Sequence, residues 1–252
     1  MSVSEPMTSP TSPRPGRLPK KPQSAGSRSQ TVIFWLAVGW MVALVLAAIL
    51  APVLPLRDFA DTSGERLEPL GSWPEVLGTD MLGRSTLSRV IYGARVSLTV
   101  AFLATGMALV MGLILGLLAA YLRGVVERVI EIVAASVLAF PALVLLLALV
   151  AVLPASILSL ATALGIVATP AFIRLVKANA LAQVNREYVT AAKALGARVP
   201  RILIRELLPN TFVPLVSLVA ASIAIVIVVE GSLSFLGFGI PAPQPSWGGS
   251  YC

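Results

Sequence analysis

Five long runs of apolar residues constrain this chain more than any other feature: Thr31–Leu56, Val96–Leu122, Val129–Leu153, Ala155–Ile173 and Thr211–Val229. An α-helix rises about 1.5 Å per residue and the hydrocarbon layer of a bilayer is about 30 Å thick, so roughly 20 apolar residues span it. Inside that layer no water satisfies the backbone, and each run must close its own hydrogen-bond ladder as a helix. The alternation of a barrel strand is absent from the runs. The expected fold is therefore an all-α integral membrane protein with five readable transmembrane helices. Composition agrees: 57% of residues are apolar and only 12% charged, with a mean hydropathy of +0.89, whereas a soluble domain carries about a quarter charged residues.

Several function classes drop out. The chain has no His and one Cys, Cys252, which excludes His-based triads, internal disulfides and the common His/Cys metal sites. No GxxxxGK[ST] pattern occurs, so there is no phosphate cradle of that type for ATP. The net charge of +7 does not indicate nucleic acid, because the basic residues lie between the apolar runs and ahead of the first. That distribution sets orientation in a membrane, and contact with lipid, instead.

Residues 1–30 are rich in Pro, Ser, Thr and Arg and poor in large apolar residues; they read as a disordered cytoplasmic tail. The first run is longer than the core of a cleaved secretory signal and reads as a retained helix over 31–56. Arg174–Arg205 holds seven basic residues against one acid, Glu187, whereas Arg57–Arg95 holds five basic and six acidic residues. Basic loops stay in the cytoplasm. The N-terminus is thus expected inside, 57–95 as an extracytoplasmic loop, and 96–252 as a core with a cytoplasmic loop at 174–210.

That loop is too long for a plain connector. Glu187–Leu195 is a good helix former, Gly196 suits a helix stop, and Pro200–Leu207 begins as a second short helix would. Two short helices with a Gly break form a docking element for a cytoplasmic protein; a lipid-surface loop is the alternative. Elsewhere, Gly112 and Gly116 form a GxxxG pair, read either as generic packing or as a dimer seam. Pro141 should kink the third helix. Thr79 and Asp80 are placed to cap a short amphipathic helix bearing Leu82, Val90 and Ile91, with Arg84, Arg89 and Arg95 as a collar at the outer boundary. Glu230 closes an apolar helix, and such acids usually face a bundle interior or a water-filled path.

Three motifs carry a resemblance. Ala191, Ala192, Gly196, Leu208 and Pro209 fall at the spacing of EAA-x3-G-x9-I-x-L-P, with Thr190 in the Glu slot and Glu206 in the Ile slot. LGTDMLGRSTLSRVIYGARVSL (Leu77–Leu98) and SLSFLGFGIPAPQPSWG (Ser232–Gly248) flank the core. Together these resemble the inner-membrane permeases of ATP-binding cassette importers in the oligopeptide, dipeptide and nickel group, C-type subunit. Ala135 and Thr169 depart from an acid and a Trp common in that group.

The resemblance implies a transport subunit rather than an enzyme, in the cell inner membrane, coupling ATPase movement to alternating access. Its implied partners are a homologous second permease, two cytoplasmic cassette ATPases holding ATP and Mg, and an extracytoplasmic substrate-binding protein. It implies ATPase coupling through Glu187, Ala191, Ala192, Gly196, Leu208 and Pro209, and a place for Glu230 on the translocation pathway. It also implies a sixth helix after the five that are read. Two alternatives stand beside it: an ion-coupled secondary transporter, and a shortened permease remnant without transport.

Overall fold

The computed structural model describes residues 27–71, 75–241 and 243–249, with side chains described from Thr31. Helices follow in the order α1 (Ser27–Leu50), α2 (Thr86–Leu122), α3 (Gly124–Leu138), α4 (Ala142–Val152), α5 (Ile157–Val184), α6 (Glu187–Ala194), α7 (Val199–Arg201), a π-helical turn (Ile202–Leu207) and α8 (Leu208–Phe235). Among the described residues there is no strand, only an isolated bridge between Thr79 and Ser85. The all-α expectation holds. The tail reading for residues 1–26 lies outside the described residues; 27–30 are helical, so the first helix starts earlier than 31. The segment up to Met41 stands as a unit separate from Val42–Cys252.

Among the described residues four helical stretches are long and apolar enough to cross a membrane, namely Thr31–Leu50, Thr86–Leu122, Ile157–Val184 and Val199–Phe235. The run expected as one span over Val129–Leu153 is instead α3 and α4, bent by 90°. Pro141 supplies the reason: it has no amide hydrogen to continue the ladder and disfavours helical geometry in the residue before it. The break is far sharper than a kink. Glu127 and Glu131 of α3 are held by Lys177 of α5, the first at 2.5 Å.

The second helix also differs from its expected start at Val96. Ser85 is its N-cap, accepting from the Ser88 amide at 3.4 Å, and the helix runs unbroken from Thr86. Thr79 and Asp80 therefore cap nothing. Asp80 closes the preceding turn, accepting from the amides of Leu82 (2.8 Å) and Arg84 (2.9 Å) and from Arg84 Nε (2.7 Å). Burial pushes the Asp80 carboxyl up, but these hydrogen bonds outweigh it and hold the group below its ordinary value. The lead-in from Arg57 is tied down as well. Arg57 Nε bonds Asp61 at 2.8 Å and its Nη2 bonds Ser63, while its carbonyl accepts from the Ser88 hydroxyl at 2.7 Å.

Helices α2 and α5 form the principal pair, and their seam explains the GxxxG spacing. A Cβ on Gly112 would lie 2.3 Å from Phe172 Cβ, and one on Gly116 would lie 2.7 Å from Val176 Cβ. The pair is an intramolecular packing seam. Lipid tails are as apolar as the side chains, so close backbone approach and dispersion, rather than water exclusion, hold such helices together. Val100, Ala104, Leu146, Leu160, Leu164 and Val226 complete a core among α2, α4, α5 and α8.

Candidate functional site

Helix α6 follows α5 after the short Asn185–Arg186 link. Its one buried residue, Val189, enters an apolar cluster with Leu117 and Ala120 of α2, Val176 and Ala180 of α5, Ile202 and Leu207 of the π-turn, and Leu215 of α8. Glu187 sits in the first turn and Lys193 in the last, each favourable to the helix dipole. The stop is a Schellman motif: the amide of Ala197 bonds the Ala192 carbonyl, that of Gly196 bonds the Lys193 carbonyl, both at 3.0 Å, and Gly196 has φ +77°. Only glycine adopts that conformation without steric cost. Lys193 lies over the Tyr121 ring at 5.0 Å. A polar chain adds a lateral tie, with Tyr188 donating to Gln183 at 3.1 Å and Asn210 donating to the Glu206 carbonyl at 2.8 Å.

The opposite face of α6 is bare. Glu187, Thr190, Ala191, Ala194 and Gly196 are exposed, and Leu195 is 87% exposed at the tip. The same stretch of chain carries Arg186, Lys193, Arg198, Arg201 and Arg205, all exposed. The second short helix expected at Pro200–Leu207 is present as α7 and the π-turn, but it continues into α8 instead of standing apart. Pro209 is exposed and Leu208 half-buried. Of the residues assigned to coupling, Glu187, Ala191 and Gly196 therefore share the bare surface, while Ala192 and Leu208 face the apolar cluster.

Glu230 is 0% exposed. Its two carboxylate oxygens accept from Ser97 Oγ of α2 and from Ser234 Oγ of α8, each at 2.8 Å. Ser234 Oγ lies 3.2 Å from Ser246 Oγ; because the Ser234 proton is committed to Glu230, Ser246 is the donor. Ser97 Oγ also accepts from the Trp247 amide at 3.2 Å, and Trp247 Nε1 donates to the Val90 carbonyl at 3.1 Å. Of the two surroundings expected for Glu230, the bundle interior is the one it occupies: it is enclosed by α2, α8 and the Ser246–Trp247 segment, where serines satisfy both of its oxygens.

Residues 112–251 match the family described as binding-protein-dependent transport system inner membrane component. The chain belongs to this family. It is 35% identical over 215 residues to a di/tripeptide transport system permease protein, DppC, of Pseudomonas aeruginosa, covering 83% of this chain and 71% of the relative. It is 43% identical over 206 residues to the dipeptide transport system permease protein DppC of Escherichia coli, covering 81% and 69%. A DppC of Alkalihalophilus pseudofirmus is 36% identical over 208 residues, 82% and 68% of the two chains.

The chain is thus a multi-pass inner-membrane permease subunit of an ATP-binding cassette importer, as the three motifs implied. The ion-coupled alternative is set aside. The permease core contains both α6 and Glu230, which lie within the matched region. Sequence reasoning missed Val189, whose burial fixes α6, although a valine inside a polar loop was a usable signal. It also missed the serines around Glu230. Ser234, one helical turn on, was readable as a partner; Ser97, separated by 133 positions, was not.

Proposed function

We propose that this permease imports di- or oligopeptides, pairs with a second, homologous permease, and takes its drive from two cytoplasmic ATPases that dock on α6. The observation that carries the docking role is the build of α6: fastened by Val189 to three long helices, ended by a Schellman stop, and bare on its other face. A helix held that firmly on one side transmits a push applied to the other. The exposed Leu195, in a stretch of chain rich in exposed basic residues, suits an apolar socket with an acidic rim on the partner. ATP and Mg belong to those ATPases, and this chain contributes no group to hydrolysis. An extracytoplasmic binding protein delivers the solute at the opposite end, and the N-terminus lies in the cytoplasm with α6.

Peptide as substrate rests on likeness to permeases named for di- and tripeptide transport. For Glu230 the role proposed is at the rim of the pathway, fastening Ser246–Trp247 to the helices. The test is a detergent pull-down of the tagged chain from its native membrane, read by mass spectrometry. Recovery of a second permease and cassette ATPases, lost when Ala191 and Gly196 are both replaced by Asp, supports the reading. Recovery of the chain alone, or retention of the ATPases by the double variant, overturns it.

A further inference from the structure

Beside the start of α2 lies a cavity of 390 Å³ whose walls include Arg84, Arg89, Ser234, Ile240, Pro241 and Gln244. Its volume falls within the range of small-molecule sites, about 300–1,000 Å³. The two arginines differ in their commitments. Arg84 bonds Asp80 at 2.7 Å, and Asp80 is further occupied by two backbone amides. The Arg89 side chain is only 9% exposed, and its nearest acid is the same Asp80 at 3.9 Å. Among the described residues its guanidinium makes no hydrogen bond, and its one ion pair is this long one. Arg84, Arg89 and Asp80 together carry one net positive charge on the cavity wall, and Arg89 is the more weakly paired of the two arginines. A buried cation in that state is unfavourable until an anion joins it. The fork of a guanidinium fits an oxyanion with two parallel hydrogen bonds.

We propose that this cavity is a carboxylate subsite, in which Arg89 receives the terminal carboxylate of a peptide while Ile240 and Pro241 flank its apolar body. The proposal deepens the peptide-import reading and rests on it. The site lies at the end of α2 remote from α6, roughly 50 Å away along a helix of this length. The Glu230 cluster matters here too. It holds one wall in place, since Ser234 lines the cavity and binds both Glu230 and Ser246.

The test uses the whole complex with its binding protein, reconstituted in liposomes. Import of alanyl-phenylalanine is compared with that of its C-terminal amide at saturating binding protein. Because the same binding protein serves wild type and variant, a change in the acid-to-amide ratio reports on the permease. Arg89→Gln should bring that ratio about tenfold closer to one, the scale of a charged hydrogen-bonded pair, with Arg89→Lys in between. If Arg89→Gln fails to assemble, Arg89→Lys, which keeps the charge without the fork, must still lower the ratio. An unchanged ratio with peptide import intact overturns the subsite and leaves the import reading standing. If wild type imports neither compound, the import reading itself fails. An anionic phospholipid retained by wild type and lost from Arg89→Gln, with the ratio unchanged, assigns the oxyanion to a lipid phosphate and overturns the peptide assignment.

Discussion

Around Thr86, where α2 begins, order is carried by polar contacts: Arg57 with Asp61 and Ser63, Asp80 with its turn, and Glu230 with two serines. Around Leu117 and Ala120, near where α2 ends, the elements meet through apolar side chains, and Val189, Ile202, Leu207 and Leu215 are almost fully enclosed. The charges at that second end face outward. The difference separates two tasks. Directional hydrogen bonds fix a shape to within a few tenths of an ångström, which suits a rim that must select. Apolar packing holds elements together without prescribing an angle, which suits a joint that must keep contact while it is pushed.

The largest effect comes from contaminating the apolar end with polarity. Val189→Asp places a carboxylate among apolar side chains and should cost about 3 kcal/mol or more, the scale of burying a charge in such surroundings. Thermal unfolding in detergent should show α6 detached well below the melting of the bundle. The reverse experiment strips the polar end. Glu230→Leu leaves the Ser97 and Ser234 hydroxyls without their acceptor and should cost about 2 kcal/mol, with Glu230→Gln losing roughly half of that. Hydrogen exchange at Trp247 reads it directly; protection equal to wild type in Glu230→Leu would contradict the fastening role.

A third change spares both interiors. Leu195→Ala should leave stability within about 0.5 kcal/mol, since the side chain touches little, while ATPase capture falls about tenfold, the scale of one interface anchor. The smallest effect is on pH. The hydrogen bond from Arg57, then that of the Ser63 amide, hold Asp61 at about 2, below its ordinary 3.8. A carboxyl lowered on folding adds stability that is complete above its unfolded value and is lost as pH falls through its folded one. The Arg57–Ser63 turn should therefore loosen between about pH 4 and pH 2. Exchange rates of its amides over that range check the sign, and α6, tied by Val189, should lag behind.

How much of this was legible in the sequence follows the same division. Apolar runs announced the spans, and Gly196 announced the stop of α6, because hydropathy and a left-handed backbone are local properties. The start of α2 was not visible. Ser88, Arg89 and Arg95 lower the hydropathy of its first turns, and only in the fold does Ser88 meet the Arg57 carbonyl and the returning Trp247 meet the Val90 carbonyl. Pro141 was read correctly as a disturbance, but its angle depends on what α3 and α4 separately pack against. The enclosure of Glu230 required knowing that Ser97 and Ser246 arrive from distant parts of the chain.

The Gly112–Gly116 seam has a mechanical meaning. With Phe172 and Val176 seated directly on backbone, α2 and α5 have no compliant layer of long side chains between them. Two rods joined without a cushion cannot slide, so they bend and tilt as one beam. Under the docking proposed at α6, a displacement would travel along this beam toward Arg89 instead of being taken up between the two helices, while the 90° break at Pro141 turns α4 out of the line of α3.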